Sequence, residues 1–151
     1  MGTLHWLTDV KEYISKHYKD ALMVFETAAS YKVASYIQQR RSPGFSEQLL
    51  HFVDSKGFED TEVYKRAGLD RKLFSKIRSN PAYQPGKKTA FALCLSLHLT
   101  IQEAEILLRS AGYSFSNSHV LDLIVRYCIE HQIYNLHEVN FALDHYGLEP
   151  L

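Results

Sequence analysis

The chain has 151 residues, 46% of them apolar and 23% charged, with four prolines and seven glycines, and its formal net charge is zero. That length and composition suit one compact core and argue against a disordered chain. Zero net charge excludes a uniformly basic nucleic-acid coat, but the distribution is uneven. Residues 45–88 hold nine basic and six acidic side chains, whereas residues 89–151 hold two and seven. Charge asymmetry of this kind is a better sign of a charged face than the total is.

Strand signals are almost absent, and helical spacing recurs along the chain. Residues 9–40 fit one long helix or a helical hairpin, with Asp9 and Glu12 as a capping box. Its stripe runs Val10, Ile14, Tyr18, Leu22, Phe25, Ala29, Val33 and Ile37 at spacings of three to four. RRSPGF at 40–45 is a boundary. Next come a helix from Ser46 to Lys56, with Leu49, Leu50 and Val53 inward and Gly57 as its stop, and a short one from Asp60 to Ala67. Asp70 caps a helix over 71–79, and a loop SNPAYQPGKK follows. Lys88 to Leu97 is apolar on nearly every side and should be central. Thr100 with Glu103 opens a helix that stops at Gly112. A further helix over 118–131 should face inward through Leu121, Ile124, Tyr127 and Cys128. Asn135 with Glu138 caps the last one, which runs to Tyr146. The expectation is an all-α chain of about seven helices. It divides into an N-terminal helical segment over 1–44, a middle domain over 45–112 and C-terminal helices over 113–151 that pack on it.

The stretch from Arg71 to Lys88 carries six basic residues and no acidic one. On a wheel of about 100° per residue, Leu73, Phe74 and Ile77 share one sector of the helix over 71–79. Arg71, Lys72, Ser75, Lys76, Arg78 and Ser79 take the rest. Arg and Lys reach guanine edges and phosphates, and Ser is a small donor and acceptor, so this face has the residue types of a groove-reading helix. A tight Gly turn precedes it, as a helix-turn-helix requires. Lys87 and Lys88 begin a helix, where the macrodipole disfavours cations, and a phosphate partner would relieve that. Tyr83 in the basic loop is a candidate stacking residue. A solvated face on a helical scaffold is the plain alternative.

TEVYKRAGLDRKLFSKIRSNPAYQPGKKTAFALCLSLHLTIQEAEILLRSAGY resembles the lambda-repressor-like, or XRE-type, five-helix DNA-binding domain over about residues 46–112. Gly68 stands at the turn glycine, Leu69 at the buried turn position, Asp70 where the family often has Ser, and Phe74 and Ile77 at inward positions. Pro85 and the apolar helix ending in LSLHLT match the fourth helix and its connection to the fifth. More narrowly, GLDRKLFSKIRSNP, KKTAFALCLSL and RSAGYSFS look like a small bacterial group of proteins that occur alone or attached to other modules, including macro domains. Three departures stand out: Tyr64 where the pattern has Ala, Arg78 where an acid is common, and a longer loop after the helix. The resemblance implies a transcriptional regulator of a bacterial or phage operon, one of defence or stress genes. Arg71, Lys72, Ser75 and Lys76 would then meet bases or nearby phosphates of double-stranded DNA, with Arg78, Lys87 and Lys88 on the backbone.

The N-terminal stripe, with Trp6, Tyr13, Tyr18 and Phe25, either packs on the middle domain or contacts a partner. Self-association into a homodimer is the simplest partner, since repressor-type domains bind twofold sites. The acidic last third, with Asp122, Glu130, Glu138 and Asp144, should face away from DNA or touch a protein. The alternative function is a non-enzymatic adaptor or antitoxin-like component that keeps the fold without binding DNA, with a protein partner from the same operon. No enzymatic motif is present: Glu103 and Glu105 point to different faces, and Cys94 and Cys128 lie in apolar helical runs where thiols are inert. No Cys-x-x-Cys or His pair has metal spacing, and no cofactor is implied. With no secretory pattern and no membrane-length apolar run, the expectation is a cytoplasmic protein.

Overall fold

The computed structural model describes the backbone of residues 2–151 and the side chains of residues 6–18 and 26–151. Among the described residues there are eight α-helices and no strand. They are α1 (Gly2–Arg40), α2 (Phe45–Lys56), α3 (Asp60–Arg66), α4 (Arg71–Ser79), α5 (Lys87–Ser96), α6 (Ile101–Ser110), α7 (Val120–Glu130) and α8 (Leu136–His145). None of the described helices is long and apolar enough to cross a membrane. The chain divides into two compact units, Met1–Arg41 and Ser42–Leu151.

The first unit is α1, one unbroken helix and not a hairpin. Because α1 begins at Gly2, Asp9 lies inside it and caps nothing. Trp6, Tyr13, Ile14, Tyr18, Val33 and Tyr36 are exposed on α1.

The second unit is built around α5. Every residue from Ala90 to Leu97 is buried, because α5 packs against α3, α6 and α8 at once. An uninterrupted apolar run is what such a position needs, since no face of the helix meets water. Ser96 is the polar exception, and its Oγ donates to the Val63 carbonyl, so the buried hydroxyl is satisfied. Around α5 the core draws Leu49 and Val53 from α2, Phe74 and Ile77 from α4, Leu107 and Leu108 from α6, and Val125, Ile129, Val139 and Leu143 from α7 and α8. In α2, Phe45 and Phe52 are also buried, while Leu50 is only half-buried.

The caps explain several boundaries. Thr100 and Glu103 form the reciprocal box expected from their spacing. Asn135 accepts from the backbone N–H groups of His137 and Glu138. At the end of α5, His98 takes φ 52°, a left-handed conformation usually left to Gly, and its ring stacks on Tyr134 at 4.7 Å. One inward assignment is corrected. Tyr127 is exposed, and Val125 and Ile129 take the core side of α7. With apolar residues almost all round α7, the helical period could not choose which of them face in.

Candidate nucleic-acid interface

The geometry of α3, its turn and α4 follows from a few local bonds. After α3 the Gly68 N–H donates to the Lys65 carbonyl at 3.1 Å and the Leu69 N–H to the Tyr64 carbonyl at 2.9 Å. That pair of bonds closes a helix through a left-handed residue, and Gly68 has φ 69°. A Cβ at Gly68 would stand 3.2 Å from Leu136 Cδ2 at the start of α8, so the site is also sterically filled. Asp70 then caps α4, its carboxylate accepting from the Leu73 N–H at 2.7 Å. Phe74 and Ile77 are buried, and the Tyr64 ring lies 5.9 Å from that of Phe74. Tyr64 thus fills the space between α3 and α4. Its larger side chain, compared with Ala, is absorbed by packing at a tilt of 45° against the Phe74 ring.

With two side chains anchored and the first turn capped, the rotation of α4 about its axis is fixed. Arg71, Lys72, Ser75 and Lys76 all point to solvent. None of their charged groups has an ion-pair partner among the described residues.

The other sequence-selected residues are placed differently. Arg78 forms a two-pronged pair with Asp60, Nε to Oδ2 at 2.9 Å and Nη2 to Oδ1 at 2.7 Å. The Asp60 hydrogen bond raises its pKa further. This pair ties the end of α4 to the start of α3. Lys87 Nζ donates to Asp122 Oδ2 at 2.5 Å, and that carboxylate is only 2% exposed. The second donor to Asp122 is the Ser116 N–H at 2.8 Å. The lysine at the unfavourable end of α5 is therefore neutralised from inside the protein, without a phosphate. Lys88 lies 3.8 Å from Glu149, both well exposed, which leaves its ammonium largely in water. Tyr83 is half-buried against the core, its ring 6.5 Å from that of Phe45, and burial pushes its phenol up.

On α1, Trp6, Tyr13 and Tyr18 are exposed, and the Tyr13 ring stacks on His17 at 4.1 Å. The Phe25 side chain lies outside the described residues.

Two features were not foreseen. The first is Asp122, expected on an acidic outer face but buried as the counter-ion of Lys87. Nothing local marks it, because its partner is 35 residues away. The second is an apolar groove of about 640 Å³ between α7 and α8, lined by Val120, Leu123, Tyr127, Ile133, Ala142 and Tyr146 among others. The only sequence signal was that α7 is apolar almost all round, more than one buried face needs.

Both thiols are buried. Burial pushes Cys94 far up, and burial and then the nearby Glu138 push Cys128 up. No cluster of three or more metal-ligating side chains occurs among the described residues. No family model, curated protein or solved structure matches the chain.

Proposed function

We propose that the chain is a DNA-binding transcriptional regulator of a bacterial or phage operon, acting through α4. The observation that carries this reading is the face formed by Arg71, Lys72, Ser75 and Lys76. It is exposed, cationic and without an ion-pair partner among the described residues, on a helix held by a capped first turn and a left-handed glycine turn. A face of that kind fits the major groove, where arginine and lysine reach guanine edges and phosphates. In a helix-turn-helix the N-terminal residues of the second helix meet the bases, and here those are the same four. Under this reading α2 to α6 serve as a five-helix lambda-repressor-like core, and a homodimer places two copies of α4 on a twofold site. Arg78, Lys87 and Tyr83 are support residues in this scheme, and Lys88 is the backbone contact.

Fluorescence anisotropy with the purified protein tests it, using labelled duplex from its own promoter and a scrambled duplex. Affinity should fall steeply with salt, each neutralised phosphate adding about −0.9 to the slope of log K against log salt. Arg71→Glu with Lys76→Glu should abolish promoter binding while leaving the circular dichroism unchanged. No binding by the wild type at low salt would refute the reading. It would favour instead an adaptor or antitoxin-like role, which the exposed apolar residues of α1 and α7 would serve.

A further inference from the structure

The groove between α7 and α8 belongs to neither the DNA-facing helix nor its support. Its floor is formed by half-buried Ile124 and Ile133 and by buried Cys128. Along it stand large apolar groups that the fold leaves in water: Tyr127 at 55% and Tyr146 at 65% exposure, with Val120 and Leu123. Phe141, at 77% exposure, is one helical step round α8 from Glu138, which lines the groove. We propose that this face is a symmetric docking surface for a second copy of the same chain.

Three observations select that occupant. First, the patch holds both halves of a fit. The groove is concave and apolar, and Phe141 projects beside it, so a twofold axis places the ring of each copy against the trough of the other. Twofold interfaces are self-complementary in this way. Second, the rim carries both an acceptor and a donor. Glu138 has no ion pair among the described residues, and His145 follows it about two turns on along the same side of α8. A copy of the chain supplies both the carboxylate and the imidazole N–H groups, whereas a strongly charged partner would match only one. Third, the size is right. Fully burying an aromatic side chain removes about 150–250 Å², so three such rings at the exposures above, with Val120 and Leu123, leave roughly 400–600 Å² per copy to be covered. Two copies together reach about 1,000 Å², where specific interfaces begin. None of the lining residues belongs to α3 or α4, so pairing here leaves the cationic face free.

The test is the oligomeric state of the full chain without DNA, which keeps it separate from the DNA-binding reading. Sedimentation velocity and light scattering over a broad concentration range should show a reversible dimer. Leu123→Glu with Phe141→Glu should weaken it by about tenfold or more. Ile14→Glu with Tyr18→Glu, on the exposed side of α1, should leave it intact. In the wild type, hydrogen exchange over 120–146 should slow as concentration rises, a readout that no variant's folding can confuse. A monomer at every concentration, a dimer indifferent to the groove substitutions, a dimer lost through the α1 substitutions, or protection confined to α1 would each overturn the proposal.

Discussion

Replacing Lys87 by Met separates a structural lysine from a DNA-contacting one. The substitution keeps an unbranched apolar stem, one atom shorter, and removes the charge. Asp122 is then left 2% exposed with one donor, the Ser116 N–H at 2.8 Å. Breaking a buried pair from one side costs about 3–5 kcal/mol, because the remaining ion has lost both water and partner. Lys87 itself is 29% exposed, so some water reaches the pair, and the expected loss is about 2–4 kcal/mol. The reverse substitution, Asp122→Asn, is milder. Its amide oxygen can still accept from Ser116, and the freed ammonium can turn to solvent, for a cost of about 1–2 kcal/mol. The double variant should cost less than Lys87→Met alone, since removing the second member relieves the stranded charge. Urea unfolding at neutral pH, with slopes compared as well as midpoints, measures all three. A Lys87→Met loss below about 1 kcal/mol, or a larger loss from Asp122→Asn, would refute the reasoning. An unchanged midpoint with weakened DNA binding would return Lys87 to the phosphate-contacting set.

Three further outcomes are expected. Gly68→Ala should lose about 1–2 kcal/mol in the same unfolding assay, because its φ of 69° is costly for a side chain and the new Cβ would press on Leu136. For Glu103, burial pushes the carboxyl up, but Lys56 and the Thr100 cap outweigh it and hold the pKa below the ordinary carboxylate value. A depressed carboxylate contributes stability that is present above its unfolded pKa and lost as pH falls through the folded one. Between about pH 5 and about pH 3 the wild type should therefore lose more stability than Glu103→Gln, and parallel curves would contradict this. Finally, a thiol reagent at mildly alkaline pH should label neither Cys94 nor Cys128 in the folded protein and both in urea, since each thiol is buried and pushed up.

What the sequence made legible was local. The bounds of α4, its Asp70 cap and its two anchoring apolar residues all lie within ten residues, and each is written in a residue type with a strong preference. The centrality of α5 was equally plain from its unbroken apolar run. Where two readings of a local pattern compete, the sequence was less decisive. Asp9 and Glu12 have capping-box spacing, yet the helix already runs through them from Gly2. Tyr127 fits an inward stripe as well as Val125 does, and packing chose Val125. What could not be read was any pairing between distant residues. Asp122 and Lys87 look like an acidic surface residue and a basic one until the fold brings them together, and Arg78 and Asp60 do the same across 18 positions. For the candidate site this matters directly, because pairing decides which cations remain available.

That pairing also resolves the tension between zero net charge and a cationic helix. Of the basic residues in 45–88, Lys56 is held by Glu103, Arg66 by Glu62, Arg78 by Asp60, Lys87 by Asp122, and Lys88 loosely by Glu149. Three of those five carboxylates come from the acidic last third of the chain. That third is therefore not turned wholesale away from the basic middle. Part of it is bound into it, as are Tyr134, whose hydroxyl donates to the Leu99 carbonyl, and Leu136 beside Gly68. The basic residues of 45–88 without an ion-pair partner among the described residues are Lys65, Arg71, Lys72 and Lys76, and three of these four lie on α4. Charge that cancels in the sum does not cancel in space. Screening over about 8–10 Å at ordinary salt makes the balance at α4 a local one, between those three cations and two nearby acids, Asp60, paired with Arg78, and Asp70, which caps the helix. A neutral chain can in this way present a locally cationic face, and the place to weaken it is Arg71, Lys72 or Lys76, not the lysine content as a whole.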